Sequence, residues 1–175
     1  MFVFRKSTLA DIDEMVRIAE AARALLKSRG VAQWQRGTYP DRALFVQDVA
    51  EGIGYVVSEG PAVVAICAVT LTEEAAYRDL FDGAWLTADG ALYATIHRGA
   101  VAPEHQGRRI PKFLFDAAAD LAREKGAVSL RADTHPDNAA MQRALERAGF
   151  QRCGKLILLR GDERGDLRYG YERLV

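Results

Sequence analysis

The fold is decided by the stretch Val101-Ala102-Pro103-Glu104-His105-Gln106-Gly107-Arg108-Arg109-Ile110-Pro111-Lys112. It follows the strand-like run 92–102 and opens an amphipathic run in which Ile110 is the first apolar residue at helical spacing. The first N–H groups of such a helix have no intrahelical acceptor and lie at the positive end of the helix dipole. Because Arg108, Arg109 and Lys112 add positive charge there, the stretch predicts a phosphate-binding loop between a strand and a helix. A solvent-exposed basic turn is the alternative.

The remaining sequence predicts an alternation of strands and helices around this loop. Thr8 and Asp11 resemble a capping box that begins a helix ending at Gly30. In the excursion 73–80, Glu74 and Arg78 have the i,i+4 spacing of a helical ion pair. The other predicted elements are a strand at 2–6, a helix from Pro40 and Asp41 to Gly52, a hairpin of 54–58 with 62–71, a helix at 110–125, a strand at 128–132, a helix at 139–148 and a hairpin of 156–159 with 167–174.

Composition limits the classes of protein that the chain can belong to. Its 175 residues suit a single domain, 1–175, and 24 basic against 24 acidic residues give zero net charge. Because a chain of zero net charge has no overall electrostatic attraction to polyanions, neither nucleic acid nor a membrane is an expected partner. The N-terminal residues contain no long apolar run, so a cytoplasmic protein is expected. Cys67 and Cys153 lie in apolar runs without a CxxC partner, which predicts buried free thiols.

The loop and its surroundings resemble the acetyl-CoA-binding motif of the GNAT superfamily of N-acetyltransferases, Q/R-x-x-G-x-G/A. Gln106 opens the motif, the stretch 101–104 resembles the end of the family's fourth strand, and Asn138 with Gly149-Phe150 resembles its second motif. The resemblance implies an α/β (α+β) fold with a mixed, mostly antiparallel twisted sheet of about six to seven strands flanked by about four helices. It also implies transfer of an acetyl group from acetyl-CoA to a primary amine of a small molecule or peptide by direct attack.

Three positions depart from the family pattern. Arg109 replaces the first motif glycine, Pro111 replaces the Gly/Ala, and Leu145 replaces a common tyrosine. Pro111 lacks an N–H group, although proline is tolerated in a first helical turn. We therefore expect weakened or altered cofactor binding on an intact fold. A catalytically weakened CoA-binding or interaction module is the alternative function.

The resemblance also assigns the residues that hold the cofactor. The end of the fourth strand binds the pantetheine arm, the loop binds the pyrophosphate, and a residue before the next helix touches the cofactor from the other side. The cofactor-binding candidates are Val101, Gln106, Gly107, Arg108, Arg109, Ile110, Lys112 and Asn138.

A general base is needed because an alkyl ammonium group is mostly protonated at neutral pH. His97 is the first candidate, since it lies four residues before Val101 on the polar row of its strand and imidazole titrates near neutral pH. Asp133 and His135, at the end of the following strand, are the reserve candidates. Each candidate also has a structural alternative. His97 is alternatively a histidine hydrogen-bonded on the face of the sheet, and Asp133 and His135 are alternatively residues that cap the next helix. These groups supply too few ligands for a metal site.

Aromatic residues in the irregular segments are candidates for the acceptor site. Trp34, Tyr39 and Trp85 lie in regions that, by the resemblance, border the acceptor cleft. Alternatively, these aromatic side chains pack in a small, separate hydrophobic core beneath the long loops. The expected partners are acetyl-CoA and an amine acceptor, with the protein a monomer or homodimer. No motif selects among amines.

Overall fold

A seven-stranded sheet forms the centre of the computed structural model, which describes residues 1–175. The strands are β1 (Phe2–Lys6), β2 (Gly54–Glu59), β3 (Ala62–Thr70), β4 (Tyr93–Val101), β5 (Ser129–Thr134), β6 (Gln151–Ile157) and β7 (Leu167–Leu174). Their order across the sheet is β1-β2-β3-β4-β5-β7-β6. Only β4 and β5 pair in parallel, and every other pair is antiparallel. The mixed, mostly antiparallel sheet that the sequence predicts is confirmed.

Five helices accompany the sheet. They are α1 (Ile12–Ser28), α2 (Arg42–Glu51), α3 (Ala75–Arg78), α4 (Ile110–Glu124) and α5 (Ala139–Arg147). The capping box of Thr8 and Asp11 is present, in the turn that leads into α1. At α2, the Asp41 carboxylate accepts a hydrogen bond from the Leu44 N–H at 2.9 Å, as an N-cap does. No helix combines the length and the hydropathy that a bilayer crossing requires.

Both faces of the sheet are covered by helices. Successive residues of a strand point to opposite faces, so Val57 and Cys67 pack in the larger core with α4 and α5. Val56 and Ile66 pack on the other face with α1 and α2. Since both faces of the central strands are buried, the strands are apolar on both sides. Both cysteines are free and buried, as predicted.

The terminal hairpin begins earlier than the sequence predicts. β6 starts at Gln151, not at Leu156, because its first residues pair with β7 although several are polar. Gly154 weakens the strand pattern of this segment, but the position requires glycine. A Cβ atom there would lie 2.7 Å from the backbone oxygen of Phe81, which belongs to a segment that bridges to β6 at Lys155.

A buried ion pair attaches the segment between α3 and β4 to the sheet. Glu172 of β7 is fully buried and accepts hydrogen bonds from Arg131 Nε at 2.9 Å and Thr87 Oγ1 at 2.7 Å. The Arg131 guanidinium lies over the rings of Trp85, at 4.1 Å, and Tyr93, at 3.9 Å. One buried carboxylate therefore holds a strand and a long connection in place.

Replacing this carboxylate tests its importance for stability. Glu172→Gln leaves the buried Arg131 charge without a counter-ion, so we expect the free energy of unfolding to fall by about 3–5 kcal/mol in denaturant titrations. Asp120→Asn is the control, because Asp120 forms an exposed pair with Arg123. The control is expected to change stability by less than about 1 kcal/mol. Equal effects of the two substitutions would contradict this account of the buried pair.

Candidate active site

The site begins where β4 and β5 separate. Their parallel ladder contains three residue pairs, Tyr93 with Ser129, Ala94 with Leu130 and Thr95 with Arg131. β4 then continues to Val101 and β5 to Thr134 without further mutual pairing, while β5 stays paired with β7 to its end. The strands therefore diverge towards their carboxyl ends, and the edge of β4 that faces the opening keeps unpaired backbone groups.

A β-bulge in β4 lies at this opening. Ile66 of β3 pairs with Ala100 and Ala68 pairs with His97, so Cys67 stands opposite two residues, Arg98 and Gly99. Arg98 has a φ of 56°, in the left-handed region that non-glycine residues rarely adopt. Its guanidinium contacts both Asp48 carboxylate oxygens, at 2.7 and 3.1 Å, which fixes the bulge side chain against α2.

Two cavities meet at the bulge. The first, here called the α4 cleft, has a volume of about 300 Å³ and extends from Gly99 to the start of α4. The second, here called the acidic cavity, has a volume of about 570 Å³ and is lined by six carboxylate side chains. The two cavities share the residues Gln33, Trp34, Gly99, Phe115 and Met141. The two cavities are therefore neighbours at Gly99.

The loop before α4 contributes residues to the α4 cleft and leaves several backbone amides without an acceptor. Val101, Gln106, Gly107 and Asn138 line the α4 cleft. The N–H groups of Gly107, Arg108, Arg109 and Ile110 donate to no acceptor in the protein. Pro111 lies in the first turn of α4, where its missing N–H group breaks no helical hydrogen bond. Both departures from the glycine-rich motif thus leave consecutive free amides at the helix N-terminus.

Fewer basic side chains of this loop are without an ion-pair partner than the sequence suggests. Arg108 forms a bidentate pair with Glu59 at 2.7 and 2.8 Å, and Lys112 binds Asp116 at 2.6 Å. Arg109 is exposed and forms no ion pair. The Ile110 side chain is fully buried in the core, so only its backbone can serve a ligand. Arg109 is therefore the one cation of this group that is available without breaking an existing pair.

Asn138 and Gln33 form the opposite wall of the α4 cleft. Asn138 Oδ1 caps α5 by accepting from the Met141 N–H at 3.2 Å, and its Nδ2 donates to Gln33 Oε1 at 2.9 Å. Sequence reasoning missed Gln33, because it lies in the irregular connection between α1 and α2, where no periodicity marks a functional side chain.

The three proposed catalytic residues do not lie together. His97 and Asp133 line the acidic cavity, whereas His135 lies outside both cavities. The ring Nδ1 of His135 accepts from the Asp137 N–H at 3.1 Å, within the turn before α5, whereas the residue that caps α5 is Asn138. Burial lowers the pKa of His97 to about 3, and the Arg98 charge acts in the same direction. His97 is therefore neutral at working pH, and the premise that selected it, titration near neutral pH, is wrong.

Glu74 is the residue of this cavity that the sequence misassigned. Arg78 pairs with Glu73 at 2.7 Å and not with Glu74. The helix α3 is a single turn that begins at Ala75, so Glu74 precedes it with an extended backbone and the i,i+4 rule does not apply. The Glu74 side chain instead points to His97, with 3.7 Å between Oε1 and Nε2. Burial raises the pKa of Glu74, and the nearby Asp133 charge adds to the effect.

Asp133 and the aromatic candidates complete the acidic cavity. Asp133 Oδ2 accepts a hydrogen bond from the Tyr77 hydroxyl at 2.8 Å, and burial raises the pKa of this carboxyl. Trp34 and Tyr39 line the cavity with their ring centroids 6.2 Å apart. Trp85 lies elsewhere, since its indole N–H donates to the Tyr77 carbonyl at 2.9 Å and its ring packs in a small separate core. No group of His, Cys, Asp and Glu side chains has the arrangement of a metal site.

Comparison with protein families identifies the class to which a chain with this fold and these cavities belongs. The profile of the acetyltransferase (GNAT) family matches residues 19–150. The chain belongs to the GNAT family of acetyltransferases.

Individual relatives agree with this assignment. The chain is 43% identical to streptothricin acetyltransferase of Streptomyces lavendulae over 60 residues, which cover 34% of this chain and about a third (32%) of that relative. A GNAT acetyltransferase from Streptococcus agalactiae superposes with a TM-score of 0.84 at 29% identity, over 99% of this chain and 95% of that one. The fold is also similar to that of yncA from Salmonella typhimurium, solved with acetyl-CoA, with a TM-score of 0.67 at 18% identity over 99% and 93% of the chains.

The environment of His97 can be tested by NMR. Because burial holds its pKa at about 3, we expect one imidazole signal to show no titration between about pH 5 and pH 8. His97→Asn should remove that signal and thereby assign it. A His97 signal that titrates near its ordinary value of 6.5 would contradict the buried, neutral imidazole.

Proposed function

We propose that this acetyltransferase transfers the acetyl group of acetyl-CoA to a primary amine of a small molecule or peptide. The observation that supports this most strongly is the meeting of the two cavities at Gly99. One cavity offers free backbone amides for a diphosphate, and the other offers carboxylates for an amine. An enzyme that joins an anionic cofactor to a basic acceptor needs such a pair of compartments, because both reactants must be held in contact.

On this proposal the α4 cleft holds the cofactor, which supplies an acetyl thioester. The N–H groups of Gly107, Arg108, Arg109 and Ile110 bind the pyrophosphate, and the Arg109 side chain adds an exposed positive charge. The unpaired edge of β4 up to Val101 binds the amide groups of the pantetheine arm. A backbone N–H beside the bulge faces the oxygen on which negative charge develops.

The acidic cavity, on the same proposal, holds the acceptor and removes its proton. The amine must be neutral to attack, and Glu74 is a carboxylate without a hydrogen-bond donor beside the neutral His97. The new C–N bond forms as the C–S bond of the thioester breaks, and the proton of the amine passes to Glu74, directly or through water. The thiolate leaves without a protein acid, because its ordinary pKa of about 8.5 makes it an adequate leaving group. Leu145, at the family's tyrosine position, therefore slows the reaction without forbidding it.

Incubation with acetyl-CoA and a panel of primary amines tests the proposal through release of free thiol. We expect release above the amine-free background with at least one amine, and mass spectrometry should detect the acetylated product. If none of the amines causes thiol release above the background, and CoA nevertheless raises the melting temperature, the result would instead support the catalytically weakened binding module.

The role of Glu74 can be tested with a matched pair of variants. Glu74→Gln should lower kcat by at least about 100-fold, since the amide cannot accept the proton. Its affinity for CoA should be unchanged, as Glu74 lies outside the α4 cleft. The wild-type rate should rise with pH as Glu74 loses its proton above the ordinary glutamate range, and the variant should lack that limb.

Glu73→Gln is the control for this test. Glu73 is exposed, pairs with Arg78 and does not line the cavity, so its kcat and pH profile should match those of the wild type. Equal kcat values for the Glu74 and Glu73 variants would remove Glu74 from the mechanism.

A further inference from the structure

The acidic cavity contains more negative charge than its own cations balance. Six carboxylates line it, together with three guanidinium groups, those of Arg98, Arg160 and Arg168. Arg98 is bound to Asp48, and Arg160 is 70% exposed and lies 3.6 Å from Glu74. A ligand that fills this cavity excludes water from the carboxylates, so a cationic ligand is favoured over a neutral one.

The carboxylate of this cavity that is buried without a close cation is Asp133. The fully buried Arg168 is shared by three carboxylates, but it hydrogen-bonds only one of them, Glu163, at 2.7 Å. Asp166 has a second partner in Arg36. Asp133 is left with Arg168 Nε at 3.9 Å, beyond hydrogen-bond distance, and with the Tyr77 hydroxyl as its single donor. Its Oδ1 has no hydrogen-bond donor although the side chain is only 18% exposed.

The position of Asp133 separates this charge from the reacting centre. Asp133 and His97 each lie two residues beyond the last paired residues of the β4–β5 ladder, on the face that lines the acidic cavity. Gly99, where the two cavities meet, lies a further two residues along β4, in the bulge. The aromatic rings of Trp34, Tyr39 and Tyr77 line the same cavity and suit both an alkyl chain and a cation.

We propose that the acceptor carries a second basic nitrogen, as in a diamine, and that Asp133 binds this nitrogen as an ammonium ion. The reacting amine must lose its charge before it attacks, so it gains nothing from a lasting ion pair. A second amine keeps its charge throughout the reaction and can pair with a carboxylate that has no other cation. Since Asp133 and Gly99 line the same cavity, the alkyl chain between the two nitrogens directs the free amine to the thioester. This inference rests on the proposed amine acetyltransferase function.

Matched pairs of amines test the inference in the wild-type protein. We would compare kcat/KM for propylamine with 1,3-diaminopropane, butylamine with 1,4-diaminobutane and pentylamine with 1,5-diaminopentane. At least one diamine should exceed its monoamine by at least about tenfold, as a partly desolvated charge pair predicts. A ratio no greater than the factor of two expected from two equivalent amines, for every pair, would overturn the proposal.

Two variants connect the preference to Asp133. Asp133→Asn, which keeps the shape and can still accept from Tyr77, should reduce the ratio of diamine to monoamine kcat/KM to within a few-fold of one. Glu73→Gln, a carboxylate of the same region outside the cavity, should keep the wild-type ratio. A preference for diamines that survives in Asp133→Asn would overturn the assignment to this residue.

Calorimetric titration separates this inference from the proposed function. Diamine and monoamine would be titrated into the protein saturated with CoA, so that binding is read without turnover. If no amine is acetylated but diamines bind more tightly than monoamines through Asp133, the proposed function fails and the ammonium site stands. If monoamines are acetylated and no diamine is preferred in either assay, the function stands and the ammonium site fails.

Discussion

The end of the β4–β5 ladder after Thr95 and Arg131 is the constraint on which the site depends. Parallel strands that stayed paired to their carboxyl ends would close the sheet and leave no unpaired edge on β4. Because they separate, the α4 cleft and the acidic cavity lie next to the break. The bulge at Arg98 and Gly99 lies where these openings join, and the ion pair of Arg98 with Asp48 holds it there. The position of the candidate site is thus set by the point at which hydrogen bonding between β4 and β5 ends.

Much of the fold could be predicted from local sequence. The loop at 101–112, the apolar stripe of α4 and the caps of the first two helices depend on short-range spacing, and the structure confirms them. The early start of β6 could not be predicted, because polar residues and Gly154 hide a strand whose pairing depends on β7 and on the backbone of Phe81. Strand pairing between distant segments is a tertiary effect that local propensity does not contain.

The candidate site was predictable where it lies on regular elements. His97 and Asp133 lie on neighbouring strands, each two residues beyond the last paired residue of the ladder, so strand period places both on the face of the same cavity. Glu74 and Gln33 lie in irregular segments and were missed. The low pKa of His97 was also beyond sequence reasoning, because it results from burial by several distant elements. The ion pair of Arg108 with Glu59 likewise depends on the fold, because it joins the loop to β2. The pair of Lys112 with Asp116 is a local i,i+4 pair, which helical spacing alone is able to predict.

We propose that consecutive amides at the start of α4 and the free edge of β4 hold acetyl-CoA, so that its thioester lies beside Gly99. A crystal structure of the protein grown with acetyl-CoA tests this most directly. We expect electron density for the pyrophosphate on the N–H groups of residues 107–110 and for the pantetheine arm between β4 and β5. Density for acetyl-CoA at another surface, with the α4 cleft closed by the Arg109 side chain, would contradict it.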